Sequence, residues 1–239
     1  MHNIEELVGN IKKYKNTIVQ KDFESKKNTV CYVIFNNKPV VLKWYAPGFK
    51  KNMKNEYSVL KRCSPKIDTP IPLDMDEENH VILMNYLIGK NLCDIINNEQ
   101  TSTDNKKDHM FNLAKWFFEF HNHFRINDNF QIRGDSILRN FIFTDRIFGV
   151  DFEESRIGKP EEDIAGMCSS ILSTNPMFTK WKFLLCKEFI DYYEEFASWS
   201  LNDINSEIAY ALLEKIQFRP EEEDILREYS SKIKERGFL

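Results

Sequence analysis

An α+β fold is predicted by this sequence: a small antiparallel sheet carrying one helix, followed by a mainly helical region. Three observations carry the prediction. Segments 29–35 and 39–45 alternate in the manner of strands and are joined by Asn36-Asn37-Lys38, in which Asn-Asn tolerates the left-handed geometry of a hairpin turn. Phe49, Met53, Tyr57 and Leu60 then recur at helical spacing. From Leu92 onward helical periodicity dominates.

The elements follow in order. Residues 17–24 extend the first hairpin by a preceding strand, and the helix that begins near Phe49 ends at Pro65, Pro70 and Pro72. An extended stretch leads to an apolar strand at 80–86, and 97–108 reads as a polar loop. The segment 107–124 sets Met110, Leu113, Phe117, His121 and Phe124 on one helical face. After a hairpin within 133–151, helices are expected at about 162–173, 180–199, 203–217 and 220–236. Pro160-Glu161-Glu162-Asp163 and Pro220-Glu221-Glu222-Glu223 are start signals, with proline in the first turn and acids facing the helix dipole. Leu185, Phe189, Tyr192, Phe196 and Trp199 are expected to form a buried face.

Composition narrows the function classes. The 239 residues suit one domain or two joined lobes, and 42% hydrophobic with 29% charged residues is ordinary for a soluble globular protein. Nineteen phenylalanines against eight glycines indicate a bulky core with few tight backbone sites. A net charge of −4 gives no electrostatic case for a nucleic-acid binder, and the pairs Lys50-Lys51 and Lys106-Lys107 read as solvated surface. The scattered Cys31, Cys63, Cys93, Cys168 and Cys186 read as buried free thiols in a reducing cytosol. No apolar leader marks Met1-His2-Asn3-Ile4-Glu5-Glu6 and no stretch approaches membrane-spanning length, so a cytoplasmic protein is expected.

The chemistry is concentrated in 133–151. Asp135 is followed by Asn140 five positions later, and Asp151 ends an apolar strand. Two carboxylates and an amide oxygen on one loop-and-hairpin can hold a divalent cation and activate a hydroxyl. Lys43 projects from the apolar run Val40-Val41-Leu42-Lys43-Trp44-Tyr45, and a helix packed across that strand could bring Glu56 to it.

Lys43, Glu56, Met84-Asn85-Tyr86-Leu87-Ile88-Gly89, Gly134-Asp135-x4-Asn140 and Val150-Asp151-Phe152-Glu153 occur in kinase order. Over about residues 17–175 the chain resembles the protein-kinase-like superfamily. It is most similar to aminoglycoside and choline phosphotransferases and to the small atypical kinase of the KEOPS complex. The resemblance implies a bilobal kinase-like fold, with a nucleotide-binding lobe at 1–88 and a helical lobe at 89–239 holding the catalytic and metal-binding loop. It implies ATP and Mg²⁺ as cofactors and a small hydroxylated molecule as acceptor. Asp135 would accept or orient the proton of the attacking hydroxyl, and Asn140 and Asp151 would coordinate Mg²⁺. Lys43, held by Glu56, would contact the α- and β-phosphates. Asn85 C=O and Leu87 N–H would meet adenine at the backbone joining the lobes, with Met84 lining the pocket. Asp163 matches an acid that braces the catalytic loop, or is simply a helix-start acid. His121, on the apolar face of its helix, is expected to be a hydrogen-bonded core histidine.

Three departures qualify the resemblance. The run Phe23-Glu24-Ser25-Lys26-Lys27-Asn28-Thr29 has no glycine where a phosphate-covering loop is familiar. Arg133 stands where the family has histidine, and could still stabilise the loop. Glu153 replaces the glycine of Asp-Phe-Gly, as in phosphotransferases acting on small molecules. These departures favour a small-molecule phosphotransferase over a KEOPS-type protein kinase or ATPase. Arg133 and the glycine-poor loop also motivate a pseudokinase scaffold, against which the retention of Lys43, Asp135, Asn140 and Asp151 together argues. Asp191-Tyr192-Tyr193-Glu194-Glu195-Phe196 offers acids and rings for a cationic acceptor, against the plainer reading of a buried face. With no secretion signal, the adhesion-like tripeptide Arg133-Gly134-Asp135 is discounted.

Overall fold

The computed structural model describes residues 4–23, 25 and 27–237, which form two compact units. Met1, His2 and Asn3 of the leader reading, and Glu24 and Lys26 of the glycine-free run, lie outside the described residues. The first unit comprises residues 1–88 together with 151–154, and the second comprises 89–150 and 155–239.

In the first unit, α1 (Ile4–Asn10) precedes strands β1 (Ile18–Phe23), β2 (Thr29–Phe35) and β3 (Lys38–Trp44). Helix α2 (Lys50–Cys63) and strands β4 (Pro72–Asp76) and β5 (Val81–Asn85) follow. The strands form one antiparallel sheet in the order β1-β2-β3-β5-β4. Asn36 and Asn37 turn the β2–β3 hairpin with φ of 51° and 61°, the left-handed pair that asparagine accepts. Because side chains alternate across a strand, Cys31, Val33, Val40, Leu42, Val81 and Leu83 share one core with Ile4 and Val8 of α1. Lys43, one residue out of phase with Leu42, therefore belongs to the opposite face.

Two details differ from the sequence reading. Helix α1 is a second helix in this unit, one whose seven residues are too few to display a period. The buried face of α2 is Met53, Glu56, Val59, Leu60 and Cys63, whereas Tyr57 is half-buried and Phe49 precedes the helix. A carboxylate takes the position expected for an aromatic ring, which is tolerable only if the carboxylate is paired.

The second unit contains β6 (Lys90–Asn91), α3 (Leu92–Asn97), α4 (Thr103–His123), β7 (Phe130–Ile132), β8 (Phe141–Phe143), β9 (Ile147–Gly149) and β10 (Arg156–Gly158). Helices α5 (Pro160–Leu172), α6 (Lys180–Ala197), α7 (Ile204–Glu214) and α8 (Glu223–Arg236) complete it. Strands β6, β8 and β9 form one small sheet, and β7 pairs with β10 in another. Ser102 caps α4 by accepting from Asn105 N at 3.2 Å, so the helix starts within the expected polar loop. The expected face of α4 is buried from Met110 to Phe124. On α6 the buried face is Leu185, Cys186, Phe189, Ile190, Tyr193 and Ala197, so Tyr193 replaces Tyr192 and the expected stripe is rotated.

Lys106 corrects the surface reading of its pair: it is buried, with Nζ 4.4 Å from the centre of the Trp181 ring. All five cysteines are buried free thiols. Among the described residues no helix is long and apolar enough to cross a membrane.

Candidate active site

In the first unit the site is assembled around Lys43, which β3 delivers to a buried position. Its ammonium lies 2.7 Å from Glu56 Oε2, 2.7 Å from Asp151 Oδ1 and 3.1 Å from Glu153 Oε2. Burial disfavours the charge, but Glu56 and Asp151 outweigh it and hold the ammonium well above the ordinary lysine value. The same neighbourhood raises the Glu153 carboxyl, chiefly through burial, with Lys43 opposing and Asp151 reinforcing. The oxygens of Glu56, Asp151 and Glu153 lie within 4.8 Å of one another.

Glu56 is fully employed. Oε2 accepts from Lys43 and from the Tyr45 hydroxyl, and Oε1 accepts from Phe152 N at 3.2 Å. Glu153 is also tied down, since its Oε2 accepts from Asn28 Nδ2 and its backbone oxygen accepts from Asn55 Nδ2 at 3.2 Å. Asp151 has φ 65°, and its side chain is 38% exposed, so one face of the carboxylate meets solvent. Met84 is buried on β5, Asn85 ends that strand with its N–H donated to Ile71 O at 3.1 Å, and Leu87 follows half-buried.

The second unit builds a different constellation. Asn140 Nδ2 donates to Asp135 O at 3.1 Å and to Asp135 Oδ2 at 3.2 Å, so the amide is oriented by the carboxylate. Gly134 adopts φ 80°, which places the turn before Asp135 in a region that side chains disfavour. Asp163, at the start of α5, accepts from Arg133 N at 2.7 Å, Gly134 N at 3.1 Å and Ser136 Oγ at 2.8 Å. Its fourth partner is His121 Nε2 at 3.0 Å, and His121 Nδ1 meets the Tyr193 hydroxyl at 2.8 Å. His121 is thus a hydrogen-bonded core residue, and Asp163 does more than cap a helix.

Arg133 is fully buried. Its guanidinium donates to Val150 O at 2.6 Å and lies over the rings of Phe141 at 4.7 Å and Trp116 at 5.4 Å. Gly149 leaves that space, because a Cβ there would stand 2.4 Å from Trp116 and 2.8 Å from the guanidinium. The arginine that departs from the family pattern is therefore built into the loop, gripping the residue before Asp151.

The structure gathers Lys43, Glu56 and Asp151 in one unit, and Arg133, Asp135, Asn140 and Asp163 in the other. Sequence reasoning passed over Tyr45, Asn28, Asn55 and Ser136. Tyr45 lies two positions beyond Lys43, so strand alternation could have revealed it. Asn28 and Asn55 leave no local signal, as their partner is more than 95 residues away. Lys215, following α7, was also missed; burial and Arg219 push its ammonium down to about 8, with Asp135 opposing. The acid-and-ring run on α6 does not gather as a binding surface: Asp191 pairs with Lys187 at 2.5 Å and Tyr193 enters the core.

Asp151 in the first unit offers a carboxylate oxygen, and Asp135 and Asn140 in the second offer a carboxylate and an amide oxygen, hard atoms of the kind that suit a magnesium-type ion. The Asn140 amide nitrogen is committed to Asp135, so its oxygen is the atom that would be offered to a cation.

No protein-family model and no curated protein matches the sequence. Solved structures do. A protein of Ralstonia eutropha JMP134, provisionally named an aminoglycoside phosphotransferase, superposes with a TM-score of 0.64 at 12% identity, over 98% of this chain and 94% of that one. The choline kinase LicA of Streptococcus pneumoniae gives 0.62 at 12% identity, over 96% of this chain and 96% of that one. Amicoumacin kinase hAmiN, in complex with AMP-PNP, Ca²⁺ and Ami, gives 0.62 at 10% identity, over 92% of this chain and 90% of that one. The chain has the α+β protein-kinase-like fold of the aminoglycoside phosphotransferases and choline kinase.

Proposed function

We propose that the chain is an ATP-dependent phosphotransferase that moves the γ-phosphoryl group to a hydroxyl of a small molecule. The observation that carries this reading is Lys43, buried and held at 2.7 Å by both Glu56 and Asp151. A buried ammonium clamped by a helix carboxylate is positioned to meet phosphate oxygens, and catalysis of phosphoryl transfer is mostly positioning and charge stabilisation. Support for nucleotide and divalent-metal use comes from the amicoumacin kinase, whose complex contains AMP-PNP and Ca²⁺.

In this reading Lys43 binds the α- and β-phosphates while Glu56 keeps it in place. Met84 lines the adenine pocket, and Asn85 C=O and Leu87 N–H pair with the base. Asn140 and Asp151 are the residues that would hold Mg²⁺, which when bound would neutralise charge on the phosphates. Asp135 orients the acceptor hydroxyl and takes its proton as the oxygen bonds to the γ-phosphorus and the bond to the departing ADP breaks. Asp163 and Arg133 act through others: one fixes the turn carrying Asp135, and the other fixes the carbonyl preceding Asp151. Glu153 in place of glycine and the small-molecule kinases of this fold support a small-molecule acceptor.

The test is phosphate transfer from labelled ATP to aminoglycosides, choline-like alcohols, sugars and generic proteins. Asp135→Asn is expected to lower transfer by at least about a hundredfold, the scale of general-base loss. It should leave the nucleotide-induced rise in melting temperature intact. Unchanged transfer in that variant rules out the role given to Asp135, and no thermal shift in the wild type favours a scaffold.

A further inference from the structure

Two lysines of the second unit are buried without a counter-charge. Lys106, near the start of α4, is 8% exposed, and Lys182, in the first turn of α6, is fully buried. Their ammonium groups lie 4.4 and 5.4 Å from the centre of one ring, that of Trp181. Lys182 donates to Thr174 O and, at 2.8 Å, to Thr174 Oγ1, both neutral acceptors. The Lys106 ammonium donates to no acceptor, and neither lysine forms an ion pair, among the described residues. Glu99 acts on Lys106 only from beyond ion-pair distance.

A buried ammonium is ordinarily paired with a carboxylate, because an uncompensated charge in a weakly polar interior is costly. Here an aromatic face is the partial substitute. Burial pushes the Lys182 ammonium down to about 8, with Cys93 and Cys186 opposing the shift and Lys106 reinforcing it. The backbone beside the two lysines has the same sign. Trp181 and Lys182 belong to the first turn of an 18-residue helix whose N-cap, Thr179, makes no capping bond. The N–H groups of that turn therefore lack a side-chain acceptor, and the helix dipole adds positive potential.

We propose that Lys106, Lys182 and the first turn of α6 form a binding site for a phosphate-type dianion, either free phosphate or a phosphomonoester. Two ammonium groups match two negative charges. A tetrahedral anion also offers several oxygens to the donors that Thr174 leaves unused. Helix N-termini supply N–H groups to such ligands. None of these residues is among those assigned to phosphoryl transfer, and Lys43 belongs to the other unit. The site therefore stands or falls apart from the phosphotransferase reading.

Inorganic phosphate is titrated into the isotopically labelled full chain while the Trp181 indole N–H is followed by NMR. Trp181→Phe identifies that signal by removing it. A parallel titration with sodium chloride is matched in ionic strength. Saturation with a dissociation constant of about 1 mM or tighter is expected in the wild type. Lys106→Gln removes one cation and none of the bonds to Thr174. It should weaken binding at least about tenfold, as for the loss of one charge-assisted hydrogen bond. Lys43→Gln should leave the constant unchanged. Glycerol phosphate, titrated in the same way, separates the sources: tighter binding than inorganic phosphate assigns the site to a phosphomonoester, and otherwise it belongs to free phosphate.

A shift that never saturates, or that sodium chloride reproduces, overturns the proposal, because charge screening would then explain it. An unchanged constant in Lys106→Gln does the same. Loss of the response in Lys43→Gln would place the phosphate in the first unit and overturn it equally.

Discussion

Asp163 illustrates how much one residue organises. Its buried carboxylate gathers Arg133 N, Gly134 N, Ser136 Oγ and His121 Nε2, so three positions flanking Asp135 and one helix depend on it. Burial alone would raise its pKa, but His121 and the backbone and hydroxyl donors reverse the sign and hold it below the ordinary aspartate value. A carboxyl whose folded pKa is depressed stabilises the fold above its unfolded pKa. That contribution is lost as pH falls through the folded value. Asp163→Ala is therefore expected to cost about 3–5 kcal/mol at pH 7, because several buried hydrogen-bonding groups lose their shared partner at once. Urea denaturation from pH 7 to pH 3 should show the gap between wild type and variant closing towards the acid end. A gap independent of pH would remove the charge from the explanation. The identity of Asp163 was visible beforehand as an acid at a helix start, whereas its partners were not, because they lie 27 to 42 residues away. Arg133 was visible as an irregularity, and its ring contacts, its bond to Val150 O and the space left by Gly149 explain why an arginine fits there.

At the scale of elements, the hairpin β2–β3 and the long helix α4 follow from local chemistry, and both were legible. Asn36-Asn37 supplies a turn with two left-handed residues, and α4 carries apolar residues in strict helical period. Rotation about a helix axis was harder to read. On α2 the buried stripe passes through Glu56, which a hydrophobicity pattern assigns to solvent, and the ion pair with Lys43 reverses that assignment. On α6 the adjacent Tyr192 and Tyr193 are equivalent by composition. The choice falls to Tyr193 because its hydroxyl finds His121, while Tyr192 remains half-buried beside Phe111. The pair gives a clean test. Tyr193→Ala should lose about 3–5 kcal/mol, as for other fully buried aromatic rings. Tyr192→Ala should lose only about 1 kcal/mol, on the scale of a single ring contact. Denaturant midpoints of the two variants compared with wild type measure this, and equal losses would contradict the register of α6.

For the molecule as a whole, the order of Lys43, Glu56, Asp135, Asn140 and Asp151 was enough to point to the kinase-like fold. The discontinuity of the first unit was not. Residues 151–154 are counted with 1–88 although both flanking segments belong to the other unit. The bonds responsible are Phe152 N to Glu56, Asn55 to Glu153 O, Asn28 to the Glu153 carboxylate and Lys43 to Asp151. Their partners are separated by 96 to 125 residues, and no periodicity records a contact at such range. Membership of a unit has a thermodynamic meaning, because segments that open together exchange their amide hydrogens with a common dependence on denaturant. Native-state hydrogen exchange in low urea should thus find the Phe152 amide, donated to Glu56, opening with β2, β3 and α2. The amides of β8, β9 and β10, a few residues away along the chain, should follow α4 and α5 instead. If Phe152 exchanges with β9 and β10, its bonds to the first unit are secondary to chain connectivity. In that event Lys43 retains Glu56 as its constant carboxylate partner, and the charge it presents to a nucleotide is set by the 151–154 segment's own motion.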